Sequence, residues 1–136
     1  MAMRRIDRLV LGVHDASPPT DAEWERWIAL CRDQPGPLRV LVDTYGGGPN
    51  PKQRKALSDA LSARDLRSGI LTDSLLVRGL VTALAWLGIA LRAFPRGDYA
   101  EAGAYLQLSA SELSVCRDVL TQLRDECGTR EARTSA

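Results

Sequence analysis

Apolar positions along the chain fall into short runs that alternate with longer stretches of helical spacing. The short runs are partly β-branched and bounded by charged or turn residues, which is typical of strands; they cover residues 6–13, 38–42, 69–72 and 89–94. After each run, apolar residues recur three and four positions apart, which predicts a helix. The order β-α-β-α-β-α-β-α predicts an α/β domain with one sheet of four or five mainly parallel strands, flanked by helices.

Polar residues mark the starts of the predicted helices. Thr20 or Asp21 is placed to cap the first helix, and Asn50 with Pro51 starts the second, predicted over residues 51–63. After the fourth strand, helices are predicted over residues 99–108 and 111–126, because residues 109–112 have the S-x-x-E form of a capping box. Core packing explains the tryptophans of the first and third helices, which are Trp24, Trp27 and Trp86.

The end of the chain changes character after Gly128, a residue that commonly ends helices. Residues 129–136 are polar and are expected to be a disordered tail. Residues 1–128 are therefore predicted to form a single domain, and 136 residues are too few for two cores.

The third helix, predicted over residues 75–87, is apolar almost all round. Asp73 or Ser74 would cap it and Gly88 would close it, and its uncharged run is shorter than the roughly 18–20 residues that cross a bilayer. Such a helix is either buried or covered by a partner. The interface candidates on it are Leu76, Val77, Arg78, Leu80, Val81 and Leu84.

Composition narrows the classes of function. The formal net charge is +1, so no sequence-wide field favours nucleic acid or an anionic membrane as the partner. Three cysteines at irregular spacing match neither a disulfide framework nor a metal site, and no secretory signal is recognisable at the amino terminus. We therefore expect a cytoplasmic protein with reduced thiols, no metal and no cofactor.

Polar residues gather where the predicted strands end, and ligands of open parallel sheets usually bind there. His14, Asp43 and Ser74 invite comparison with a catalytic triad. Ser74, however, lies in Thr-Asp-Ser-Leu-Leu rather than in a G-x-S-x-G elbow, and the direction of the first strand decides whether His14 reaches it. A hydrolase is thus an alternative, and a protein without catalytic activity is preferred.

A run of glycines separates the second strand from the second helix. Free backbone N–H groups at such a place, together with a helix amino terminus, bind anions in many proteins. The spacing fits neither a P-loop nor a dinucleotide fingerprint, and a flexible turn explains it equally well. The candidate residues for a small anion or nucleotide are Gly46, Gly47, Gly48, Asn50 and Lys52.

Four segments carry a resemblance to a known family: LRVLVDTYGGG, RSGILTDSLLVRGLVTALAWLG, ALRAF and EAGAYLQL. Together they resemble a bacterial branch of the SpoIIAA-like members of the STAS superfamily. The resemblance implies a four- or five-stranded sheet flanked by helices, and partner binding without catalysis. It also implies a candidate regulatory serine, Ser74 after Asp73, although Leu75 and Leu76 replace the second serine and the glycine of the family's D-S-S-G motif.

The leading expectation is a non-enzymatic protein-interaction or signalling adaptor module. Its binding surface would include the third helix, the glycine loop or both, and its partner would be another protein or a second copy of the chain. An anion sensor using the glycine loop is the alternative from a different class.

Overall fold

The computed structural model describes residues 1–33, 35–62, 64–86 and 89–135, with side chains described up to residue 128. The elements in chain order are β1 (Ala2–Ile6), β2 (Leu9–His14), α1 (Asp21–Arg32), β3 (Leu38–Thr44), α2 (Pro51–Leu61), β4 (Leu66–Leu71), α3 (Leu75–Trp86), β5 (Leu91–Phe94), α4 (Tyr99–Leu106) and α5 (Ala110–Ser135).

The described strands form one sheet in the order β1-β2-β3-β4-β5. β1 runs antiparallel to β2, and all the other neighbours are parallel. This arrangement confirms the predicted α/β class, and it is consistent with a STAS-like fold. β1 and β5 are the edge strands, and α3 packs against β5.

The amino terminus differs from the prediction of one strand over residues 6–13. The chain instead forms a hairpin in which Ile6 pairs with Leu9, leaving a two-residue turn at Asp7 and Arg8. Asp7 adopts a left-handed conformation with φ of 51°. Aspartate tolerates this region better than most residues do, so a tight turn forms without the usual glycine.

Helices cover both faces of the sheet. Val10, Val40 and Val42 point to one face, where they pack with Trp24 and Trp27 of α1. The other face packs against α4 and α5 through Leu11, Leu41, Leu71, Leu106 and Leu120. Trp24 and Trp27 are core residues as predicted, whereas Trp86 is 85% exposed and the prediction of a core position for it is wrong.

The predicted helix caps form. Thr20 and Asn50 each take part in a reciprocal capping box with the residue three positions on, at the starts of α1 and α2. Ser109 and Glu112 make the same pair of bonds at the start of α5. Ala63 and Gly88, at the predicted ends of the second and third helices, lie outside the described residues.

Helix α5 continues to Ser135 and does not end at Gly128. The prediction of a helix end at Gly128 is therefore wrong, whereas the disordered tail over residues 129–136 stays a prediction. A glycine inside a helix costs only about 1 kcal/mol relative to alanine, and no proline follows it. In the part of the chain that the structure describes, no helix is long and apolar enough to cross a membrane.

Candidate functional site

The carboxyl ends of the parallel strands meet at one edge of the sheet, as expected. Because β2 is parallel to β3, His14 lies beside Thr44 and Val13 beside Asp43. Successive strand residues point to opposite faces, so His14 and Asp43 project from opposite sides of the sheet. The topology therefore gathers the predicted residues at one edge but separates their side chains.

Asp43 is fully buried between two arginines. Arg124 of α5 donates from Nε to Oδ2, and the Nε of Arg96 lies 2.9 Å from Oδ1 without the alignment of a hydrogen bond. Arg124 also donates to the hydroxyl of Tyr99. Burial lowers the pKa of Arg124, but its bonds to Asp43 and Tyr99 outweigh burial and raise that pKa overall. A carboxylate held in this way is a structural anchor rather than a free general base.

Arg96, in the loop after β5, contacts both the loop after β3 and the loop before α3 at this edge of the sheet. Its guanidinium donates to the carbonyl of Thr44 and lies over the ring of Tyr45, 3.8 Å from the ring centre. Its backbone N–H donates to the side chain of Asp73, just before α3. Sequence reasoning missed Arg96 and Arg124, because only the fold brings the loop after β5 and the middle of α5 next to the end of β3.

His14 is buried against α1, with its ring centre 6.2 Å from that of Trp24. Its Nδ1 has no hydrogen-bond partner among the described residues. Burial, assisted by the amino-terminal ammonium of Met1, lowers the pKa of His14 to about 4. The imidazole is therefore neutral near pH 7 and packed inside the protein.

Ser74 serves as the cap of α3. Its hydroxyl oxygen accepts from the N–H of Val77 at 3.3 Å, and its own N–H donates to Thr72. In the described part of the chain no hydrogen bond joins Ser74 to His14 or Asp43. The three residues of the triad alternative therefore lie in separate surroundings and do not contact one another through hydrogen bonds in the described structure.

The glycine loop folds back on the protein. Gly46 has a φ of 114° and donates its N–H to the hydroxyl of Thr44, while Gly47 donates to the carbonyl of Asp15 at 2.9 Å. A Cβ on Gly47 would lie 2.2 Å from the carbonyl oxygen of Ser17. Close packing accounts for Gly47, and a positive φ accounts for Gly46.

The remaining residues of the proposed anion site follow the same pattern. The side chain of Asn50 accepts from the N–H of Gln53 at 2.8 Å, which starts α2. A Cβ on Gly48 would meet no atom within 4 Å among the residues that the structure describes, and Lys52 is exposed on the first turn of α2. Anion binding at this loop stays a prediction, and it would have to compete with these internal hydrogen bonds.

The cysteines and the possible metal ligands of the described residues add no further candidate site. The three cysteines are buried, and burial raises the pKa of Cys31 to about 12 and that of Cys116 to about 11. Among the side chains that the structure describes, no three His, Cys, Asp or Glu residues are grouped as metal ligands.

Helix α3 presents an apolar surface to solvent. We define its outer face as Leu75, Leu76, Gly79, Leu80, Ala83 and Trp86, all exposed. At 3.6 residues per turn these positions lie within an arc of about 140°. Leu75 is 81% exposed, Leu76 84% and Trp86 85%. No charged residue lies within this arc.

The predicted interface candidates divide between the two sides of α3. Leu76, Leu80 and Arg78 are exposed, and Val77 and Leu84 are half-buried. Val81 is 6% exposed and faces the protein interior, so it does not belong to the exposed surface. The sequence pattern singled out α3 as unusually apolar, but it could not separate the outer from the inner residues because both are apolar. The role of this helix as an interface stays a prediction.

The chain matches no protein-family model, and comparison with curated proteins and with solved structures gives no match either.

Proposed function

We propose that this chain is a cytoplasmic, non-enzymatic protein-interaction module of STAS-like type, and that it docks through the outer face of α3. The observation that carries the proposal is the exposure of Leu75, Leu76 and Trp86, each more than four-fifths exposed on one helix. Burial of such a side chain contributes about 1.5–3 kcal/mol, so the face offers a large gain to any protein that covers it. Contiguous apolar surface of this kind marks interaction sites.

The state of the polar residues supports a role without catalysis. Asp43 is neutralised by two arginines, His14 is buried and neutral, and the Ser74 oxygen caps a helix. Each residue therefore has a structural task, and none is poised for proton transfer with another.

The STAS-like assignment is supported by the succession of parallel strands and helices after β1. In such a module Ser74 is the candidate regulatory residue, because it immediately precedes the outer face of α3. A phosphate at this position would add negative charge next to Leu75 and Leu76, and so would change what the face can bind.

The proposal is tested by placing a photoreactive benzophenone amino acid at position 76 and irradiating living cells. The matched control places it at Lys55, which is exposed on a different helix, α2. We expect a discrete protein adduct from position 76 and none from position 55. Equal or absent adducts at both positions would contradict the proposal.

A further inference from the structure

We infer that the protein covering the outer face of α3 is a second copy of this chain, packed across a two-fold axis. The inference rests on the proposed function, and it commits that function to one partner. Four features of the described residues support it: the absence of charge on the face, a notch at its centre, its area, and its position beside an edge strand.

The outer face carries no charge that would prevent it from packing against an identical face. A two-fold axis places each patch against an identical patch, so any charge on it would meet a like charge. No Lys, Arg, Asp or Glu lies among the six residues of the face. An axis perpendicular to α3 also makes the two helices antiparallel, so the positive end of each helix dipole lies near the negative end of the other.

Small residues form a notch in the middle of the face. Gly79 and Ala83 are one turn apart and exposed, with Leu75, Leu76, Leu80 and Trp86 around them. A Cβ added to Gly79 would meet no atom of the described residues within 4 Å, so no contact that the structure describes requires glycine there. Glycine inside a helix costs about 1 kcal/mol relative to alanine. A second helix approaching this notch closely would offset that cost, with Leu80 of each copy seated beside Gly79 of the other.

The area of the face is close to what a stable dimer needs. Taking about 150–250 Å² for a whole large apolar residue, the exposed fractions of the leucines and Trp86 amount to roughly 440–740 Å². A standard interface buries about 800 Å² on each partner, while the largest patch of a typical monomer is about 300–600 Å². The face alone therefore provides most of one partner's share.

Residues next to α3 supply the remaining area of one partner's share of the interface. Helix α3 packs against β5, an edge strand whose outer side is not paired within the described sheet. Ile89, just before β5, is 44% exposed. A partner copy seated on α3 and extending towards β5 would add Ile89 to the apolar area that it covers.

The test is the mass of the full chain in solution, measured by light scattering over a wide dilution series. We expect about twice the chain mass of 14.9 kDa, falling towards 14.9 kDa on dilution. Leu76→Asp should weaken association more than tenfold, because each dimer would bury two unpaired carboxylates. Val115→Asp is the matched control, since Val115 is an exposed apolar residue on α5, and it should leave the mass unchanged. Melting curves verify that both variants fold.

A second variant separates association from folding. Gly79→Leu fills the notch but improves helix propensity, so it should weaken the dimer at least tenfold while raising or preserving the melting temperature of the monomer. A wild-type chain that stays monomeric at every concentration overturns the inference, and so does a dimer that tolerates both Leu76→Asp and Gly79→Leu. If the chain is monomeric but position 76 still cross-links to another protein in cells, only the choice of partner fails. If it is monomeric and does not cross-link, the proposed function fails as well.

Discussion

Burial of His14 makes the stability of the protein depend on pH in a defined window. The imidazole is 5% exposed and its folded-state pKa is lowered to about 4, whereas an unfolded histidine has a pKa of about 6.5. A base whose pKa is lowered by folding remains neutral in the native state while the unfolded chain takes up a proton. Stability is thus fully present above pH 6.5 and is lost as the pH falls towards 4.

The magnitude follows from the two pKa values. In this window the unfolding free energy falls by up to about 1.4 kcal/mol for each pH unit, because one pKa unit corresponds to that energy. Between about pH 7 and pH 5 the loss amounts to about 2 kcal/mol. Carboxylates contribute at lower pH: bonds from Arg8 and Ser109 lower the pKa of Glu112 to about 2, so its contribution is lost only below about pH 4.5. The chain contains one histidine, so His14 is the side chain whose ordinary pKa falls in the upper window.

The assay is urea unfolding, followed by tryptophan fluorescence, at several pH values between about 7 and 5. We expect His14→Gln to flatten the pH dependence of the unfolding free energy, whatever its effect on absolute stability. The readout is the slope, because burying an amide without a partner has its own cost at every pH. The same slope in wild type and variant, or a wild type whose stability does not change, would refute the assignment of the buried neutral imidazole.

Two further substitutions test the edge of the sheet. Asp43→Asn removes the buried charge between two arginines and should lower the unfolding free energy by about 3–5 kcal/mol in urea titrations. The control Asp59→Asn loses only an exposed ion pair and should change the unfolding free energy by less than about 1 kcal/mol. Similar losses for both would show that the buried pairing contributes little. Gly47→Ala places a Cβ 2.2 Å from the carbonyl oxygen of Ser17 and should lower the free energy of unfolding by on the order of 1–3 kcal/mol. Gly48→Ala meets no described atom and should lower it by less. The reverse order of melting temperatures would contradict the close packing of the loop.

The fold class could be predicted from the sequence because local signals and the alternation of apolar runs agree. The caps at Thr20 and Asn50 and the buried strand at residues 38–42 depend on neighbouring residues alone, and each forms as predicted. The hairpin at the amino terminus was missed because its turn uses Asp7 rather than the common Asn-Gly or Asp-Gly pair. The parallel pairing of β2 with β3 gives the direction of β2, which sequence reasoning left open.

The candidate site was only partly predictable. The location of His14, Asp43 and Ser74 at one edge follows from strand order, but the side of the sheet that each faces depends on register, which a residue-by-residue pattern does not define. The partners of Asp43 are Arg96 and Arg124, both more than 50 residues away in the chain. On α3 the pattern indicated a partner surface, yet it placed Trp86 in the core, because an apolar residue at helical spacing is usually buried.

The most direct measurement of the central claim is the accessibility of Trp86 to a soluble quencher of fluorescence. Trp24 and Trp27 are buried in the core, so the difference in quenching between wild type and Trp86→Phe reports the outer face of α3 alone. If that face is the contact between two copies, Trp86 should be readily quenched by acrylamide in dilute protein and become shielded as the concentration rises. Quenching of Trp86 that is equally strong at every concentration would contradict the account.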